Sequence, residues 1–221
     1  MRNTLLSALL LALLSGTAGA EETKLDMSSL PDDLAARLRG MDTVVTNCNG
    51  CHSLKYIKYR DLVKLGAAPA KVDGWRGDKP LDAPLSAQLS ENDARESFGG
   101  VVPPDLSLMA AAREGGAHYL YSYLTGYRTD AKGGTVNTVF PETRMPDVLG
   151  IAAETDMQKR AEIAEHTKEV TAFLTWAADP HADERRRLGK YVIGYLAVLT
   201  MLLYVWKRRI WRRIDSQPPI E

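Results

Sequence analysis

Two strongly apolar, uncharged runs stand near opposite ends of the chain, and the positions between them are mostly of helical period. Leu5–Leu14 is apolar, follows Arg2, and is succeeded by Ala18-Gly19-Ala20 and then Glu21-Glu22. A basic start, a short apolar stretch and small residues before a charge predict an export signal over residues 1–20. The second run, Tyr191–Trp206, contains no charge. At about 1.5 Å per residue it covers roughly 24 Å, against a hydrocarbon core of roughly 30 Å. Lys190 and Lys207 can snorkel to the interfaces, and Tyr191, Tyr204, Trp206 and Trp211 supply interfacial rings. The pattern therefore predicts one membrane helix with a basic flank over 188–209 and a short tail over 210–221.

Between these runs the pattern predicts a helical, loop-rich body over 21–187. Pro31-Asp32-Asp33 ahead of Leu34, Leu38 and Met41 reads as a capped first helix leading into Val44–Cys48. Lys55–Leu65 reads as a second helix. Ala67–Gly100, rich in Pro, Gly, Asp and Ser, reads as a long loop wrapped on something. Asp105–Arg113 is punctuated by Pro103-Pro104 before it and Gly115-Gly116 after it, so a helix is expected there. His118–Leu124 reads as a short helix ending at Gly126, and Asp130–Pro146 as irregular. Asp156–Ala178 carries Ile163, Val170, Phe173, Leu174 and Trp176 near helical spacing. Strand signals are almost absent. The expected class is mainly α, and a body this poor in apolar runs needs a large bound group as part of its core.

Charge divides the chain in the same way. The 221 residues carry 28 basic and 28 acidic side chains, but residues 21–187 hold 21 basic against 26 acidic, a net of −5. The remaining basic residues sit at the two ends, against only Asp215 and Glu221. An acidic body with basic ends points to a soluble domain tied to a membrane and excludes a basic nucleic-acid binder. Four cations (Arg185, Arg186, Arg187, Lys190) precede the second apolar run and five follow it, so the export signal orients the chain better than the charge bias does. It puts the body on the periplasmic side of a Gram-negative inner membrane and residues 210–221 in the cytoplasm.

The two cysteines of the chain lie in Cys48-Asn49-Gly50-Cys51-His52. C-x-x-C-H is the attachment signature of c-type haem. Two thiols three apart on a helical turn reach both vinyl groups of one porphyrin, and the adjacent imidazole supplies the proximal nitrogen. A thioredoxin-like use needs a βαβ context that is missing. A zinc site needs further ligands, and His118, His166 and His181 are scattered. A disulfide is compatible with the spacing alone. For the sixth iron ligand, Met109 and Met145 are the serious candidates, with His118 as a bis-histidine alternative. Met109 lies mid-pattern in a predicted helix, where methionine is usually core filler. Met145 lies in an irregular segment stiffened by Pro146.

Several segments, in order and spacing, resemble the cytochrome c1 family, the haem subunit of the ubiquinol–cytochrome c reductase (complex III), in its smaller proteobacterial form. They are Cys48–His52 with Ser53-Leu54-Lys55-Tyr56, Pro103-Pro104-Asp105-Leu106-Ser107 with Ala112-Arg113, and Tyr123-Leu124-Thr125-Gly126-Tyr127. Asn137 to Phe140-Pro141 with Met145-Pro146, and Phe173 to Pro180 ahead of the arginine run and membrane helix, complete the resemblance. The resemblance implies one covalently attached haem c, with Cys48 and Cys51 as thioether anchors and His52 and Met145 on the iron. It implies that Arg113 and Tyr119 approach a haem propionate, where a guanidinium is well suited to a carboxylate. One departure stands out: small residues usually precede the ligand methionine, whereas here Thr143-Arg144 do. Arg144 faces either the partner surface or the haem.

The function so implied is single-electron relay. Electrons come from the Rieske iron–sulfur protein and pass to a c-type cytochrome acceptor, with the single helix packed beside cytochrome b. An acidic body can steer a basic acceptor. Two other classes fit the motif without the resemblance: a free-standing anchored cytochrome or haem subunit of a terminal oxidase, and a haem-based sensor or structural subunit.

Overall fold

A computed structural model of the chain describes residues 24–215; the predicted export signal over 1–20 lies outside the described residues. The first helix, α1 (Leu34–Thr43), starts where Asp33 Oδ1 accepts from Ala36 N at 3.0 Å. It does not stop at Thr43 but widens into a π-helical turn, Val44–Cys48, closed by Asn49 N donating to Val44 O at 2.9 Å. Such widened turns are rare and recur at functional sites. Here the widening delivers the Cys48–His52 segment at the end of a helix rather than in a free loop.

After Cys48–His52 come β1 (Leu54–Lys58), α2 (Tyr59–Leu65), α3 (Pro69–Arg76), β2 (Pro84–Leu85) and α4 (Glu91–Ser97). Then follow α5 (Met109–Ala112), α6 (Gly116–Thr125), β3 (Tyr127–Thr129), β4 (Thr135–Asn137), α7 (Met157–Ala178) and α8 (Ala182–Asp215). Two antiparallel pairs, β1 with β2 and β3 with β4, are the sheets among the described residues. The fold is mainly helical, as expected, with α6 and α7 close to their predicted bounds. Asp156 caps α7, accepting from Gln158 N at 2.8 Å.

Three local expectations are corrected. Lys55–Leu65 is not one helix. The Lys55 and Tyr56 amides donate to Asp105 Oδ2 (2.9 Å) and Ser107 Oγ (3.0 Å), which holds the chain extended in β1. Lys58 N then donates to Asp61 Oδ2 at 3.0 Å, and the helix begins at Tyr59. The same exchange shortens the helix predicted over Asp105–Arg113 to Met109–Ala112, because Leu106 N donates to Ser53 O and Ser107 N to Asp105 Oδ1. The predicted loop Ala67–Gly100 contains α3, with Pro69 at its first position, β2, and α4, capped by Ser90. It does wrap: Gln88 N donates to Asn49 O and Leu89 N to Gly50 O, so its middle closes over the cysteine turn.

The core lies where α1, β1, α2 and α7 meet, with Met41, Val44, Leu54, Ile57, Leu62 and Phe173 almost fully buried. The packing of α1 on α7 centres on Gly40. A β-carbon on that residue would lie 1.9 Å from Glu169 O and 2.9 Å from Val170 N, so the two backbones touch. Around this point Thr43 Oγ1 lies 2.7 Å from His166 Nε2, and Arg39 Nε donates to Glu169 Oε1 at 2.6 Å. Buried Thr167 and Thr171 satisfy their hydroxyls on the carbonyls of Ile163 and Thr167, four residues back.

Helix α8 follows α7 after a three-residue joint. Arg185 pairs with Asp179 across it, and Arg37 of α1 donates to Asp183 Oδ2 at 3.0 Å. Its 34 residues span roughly 51 Å at the helical rise. It is long and apolar enough to cross a membrane, and its apolar side chains between Leu188 and Trp211 are exposed. Beyond the apolar run, Lys207 lies over Trp211 and Arg208 over Tyr204.

Gly40→Ala should therefore force α1 and α7 apart and lower stability by about 1–3 kcal/mol or more, read by chemical denaturation. Gly50, whose added β-carbon meets nothing within 4 Å, provides the contrast. Gly50→Ala should stay within about 0.5 kcal/mol of the native chain.

Candidate functional site

The end of α1 presents the two cysteines differently: Cys48 is half-buried and Cys51 exposed. Both are free thiols, and burial, with a smaller contribution from Cys51, pushes the Cys48 thiol up to about 11. A thiol that attacks as thiolate needs the opposite shift, so the site does not activate Cys48 as a nucleophile. Asn49, between them, is buried. Its amide donates to His52 O at 2.9 Å and Ser86 O at 3.3 Å, tying the turn to the segment that closes over it.

His52 is only 8% exposed. Its Nδ1 lies 2.7 Å from Pro104 O. A carbonyl only accepts, so Nδ1 carries the proton and the lone pair is on Nε2. Burial lowers the imidazole pKa, and the Pro104 carbonyl opposes that only in part. The ring is thus held as a neutral nitrogen donor. The Pro103–Ser107 segment earns its position through Asp105 and Ser107, whose side chains hold the β1 amides and bring the Pro104 carbonyl onto His52.

These groups open on a cavity of about 420 Å³. One side is made by Cys48, Cys51, His52, Pro104, Leu106 and Met109. The α6 face contributes Tyr119, Leu120, Tyr123 and Leu124, and α7 contributes Val170 and Leu174. Phe140, Thr143, Arg144, Met145, Pro146 and Val148 come from the segment before α7. The cavity therefore collects Cys48, Cys51, His52, Met145, Arg113 and Tyr119 from four separate stretches of chain. Arg113 lies over the Tyr119 ring, 5.8 Å from its centroid.

Met109 lines the cavity as well, but from the first turn of α5, on the same segment that binds His52 through Pro104. Met145 comes from the opposite stretch of chain, after β4. His118 does not line the cavity; its Nδ1 lies 3.1 Å from Asp26 O. Arg144 is exposed at the rim and reaches Gly99, where an added β-carbon would lie 2.8 Å from Arg144 Nη1. Among the described residues no group of three or more His, Cys, Asp or Glu side chains is arranged to hold a metal ion.

The residues missed in sequence are the supports: Asn49, Asp105, Ser107, and the hydroxyls of Tyr123, Tyr127 and Thr143. Asp105-Leu106-Ser107 carried a usable signal, since Asp and Ser side chains bind neighbouring amides in preference to continuing a helix. Tyr127 is almost fully buried, and its phenol is pushed well above its ordinary range by that burial and by Tyr123.

Comparison with known proteins gives the same family that the motifs resemble. The profile of the Cytochrome C1 family matches residues 72–214. Cytochrome c1 of Allochromatium vinosum is 30% identical over 256 residues, covering 97% of this chain and all of that protein. A mitochondrial protein of Schizosaccharomyces pombe, named cytochrome c1, heme protein, is 32% identical over 86% of this chain and 72% of its own length. A Bradyrhizobium diazoefficiens protein named cytochrome b/c1 is 30% identical over 81% of this chain, which spans 33% of it. With the profile covering well over half its length and a full-length relative at that identity, the chain belongs to the cytochrome c1 family.

Proposed function

We propose that this chain is the haem c subunit of a quinol–cytochrome c reductase. It takes single electrons from the Rieske iron–sulfur protein and passes them to a c-type cytochrome. The observation that carries the reading is the cavity itself. Two thiols, a neutral imidazole with its Nε2 lone pair available, and a thioether face one apolar space. That donor set fits a covalently held haem better than it fits any hydrolytic or thiol chemistry. Bound there, the haem supplies a one-electron Fe(III)/Fe(II) couple.

The chain's residues then have distinct tasks. Cys48 and Cys51 would hold the porphyrin as thioethers, and His52 Nε2 and the Met145 sulfur would bind its iron. Pro104 O fixes the imidazole tautomer, as carbonyl partners do for metal-bound histidines. Arg113, stacked on Tyr119, offers a guanidinium to a propionate. Phe98, Val101, Leu120, Leu124, Val170 and Leu174 exclude water, and an uncharged thioether in an apolar space favours the ferrous state.

Residues 21–187 form the periplasmic haem domain, 188–209 the membrane helix and 210–221 a short cytoplasmic tail. Residues 1–20 act as the export signal. Among the described residues one helix, α8, is long and apolar enough to cross a membrane, which supports the membrane part of this placement. The relative named cytochrome b/c1 supports cytochrome b as the neighbour of α8.

Met145→Leu removes the sulfur with little change in bulk. The midpoint potential should fall sharply, each 59 mV being tenfold in a one-electron equilibrium, and ferrous CO binding should appear. Met109→Leu should leave both as they were. Parallel potentiometry on the two variants checks the assignment, and the reverse outcome would transfer the ligand role to Met109. Ending the chain after Arg187 should release a soluble periplasmic domain that keeps its covalent haem stain, checked by fractionation. Recovery of that fragment only with membranes would refute a single C-terminal anchor.

A further inference from the structure

Met145 is bonded through both polar atoms of its own backbone. Its N–H donates to Thr143 Oγ1 at 3.2 Å, and its carbonyl accepts from Tyr127 Oη at 2.9 Å. Thr143 Oγ1 lies 2.6 Å from Tyr123 Oη, and Tyr123 Oη lies 3.2 Å from Tyr127 Oη. Four contacts thus share four protons, one from the Met145 amide and one from each hydroxyl.

The Met145 carbonyl has no proton, so Tyr127 donates to it, and the same hydroxyl also donates to Tyr123 Oη. Either hydroxyl of the Tyr123–Thr143 pair can be the donor between them. Thr143 keeps a lone pair for the Met145 N–H. The run closes on the residue where it began.

We propose that this closed ring is the device that holds the Met145 thioether in the cavity, with Tyr127, Tyr123 and Thr143 as its positioning residues. The proposal rests on the reading of Met145 as an iron ligand. Its frame is firm. Tyr119 and Tyr123 stack at 6.2 Å, and Tyr123 meets Tyr127 edge-on at 5.9 Å. Buried Asn137 donates its amide to Tyr123 O at 2.8 Å, fixing the end of α6 against β4. Pro146 follows Met145 and has no amide proton, so the next peptide offers no competing donor. Hydrogen bonds in such a run polarise one another, so losing one weakens the rest.

A thioether binds ferric iron less well than ferrous iron. A loosened loop therefore releases the sulfur first in the oxidised state, and the midpoint potential falls. The test uses the full-length holoprotein in membranes, with covalent haem content measured alongside potential and ferrous CO reactivity. Tyr127→Phe and Thr143→Val should each raise the CO-reactive fraction about tenfold, as expected for one lost buried hydrogen bond, and lower the potential. Because both open the same ring, the double variant should do little more than either single one. Thr143→Ser, which keeps the hydroxyl, should restore the native values. Tyr121→Phe should leave them unchanged, since Tyr121 is a buried tyrosine of the same helix outside the cavity wall.

The proposal is overturned if Tyr127→Phe and Thr143→Val keep the native potential and CO inertness while Met145→Leu loses both. It is also overturned if the two effects simply add, or if Tyr121→Phe matches them. A native potential and CO inertness in Met145→Leu would instead reject the ligand reading itself, so the two failures are distinguishable.

Discussion

The contact of α1 with α7 at Gly40 governs the rest of the molecule. Two helices whose backbones touch have no freedom to slide by a side-chain width, because no side chain lies between them at that point. Both helices then continue into the cavity. The end of α1 delivers Cys48 and His52, and α7 delivers Val170 and Leu174. The distance between the cysteine turn and the opposing apolar wall therefore depends on the missing β-carbon of Gly40, four residues before the π-helical turn begins at Val44.

Around that frame, the backbone amides nearest the site are spent on distant side chains rather than on regular secondary structure. Asp105 and Ser107 hold the Lys55 and Tyr56 amides, and Ser53 Oγ holds Ala87 N at 2.8 Å, while the Asn49 side chain donates to the carbonyls of His52 and Ser86. A region with so little sheet and so many loops would otherwise leave polar groups buried without partners. The cost is short helices and short strands. The benefit is that three stretches of chain, each carrying part of the site, are sewn together without a side chain of the apolar wall being involved.

What was legible in sequence follows from range. Cys48, Cys51 and His52 declare themselves by spacing within five residues. Helices α6 and α7 declare themselves by period and punctuation, with Gly126 and Asp156 at their ends. The membrane helix is a matter of length and charge. The failures, Lys55–Leu65 and Asp105–Arg113, are two sides of one event: the Lys55 and Tyr56 amides are taken by side chains about fifty residues away, and Leu106 N by the Ser53 carbonyl, which no local window contains. Gly40 reads in sequence only as a weak helix residue, yet its missing side chain is what lets two backbones touch. Met109 and Met145 could not be separated by residue type, since both thioethers line the cavity. What separates them spatially is that Met109 shares its segment with the His52 support and Met145 does not.

The short joint between α7 and α8 has a kinetic meaning. Three residues separate α7 from a helix whose apolar run starts at Tyr191, about 14 Å further along at the helical rise. With that run in a bilayer, as proposed, the cavity would stay in a thin layer beside it. A protein anchored in the same layer meets it as a tethered group does, at an effective concentration set by geometry rather than by abundance. A freely diffusing protein gains no such advantage and has to find the same surface from three dimensions. One joint of this length would then give an anchored protein and a freely diffusing one very different encounter statistics at a single site.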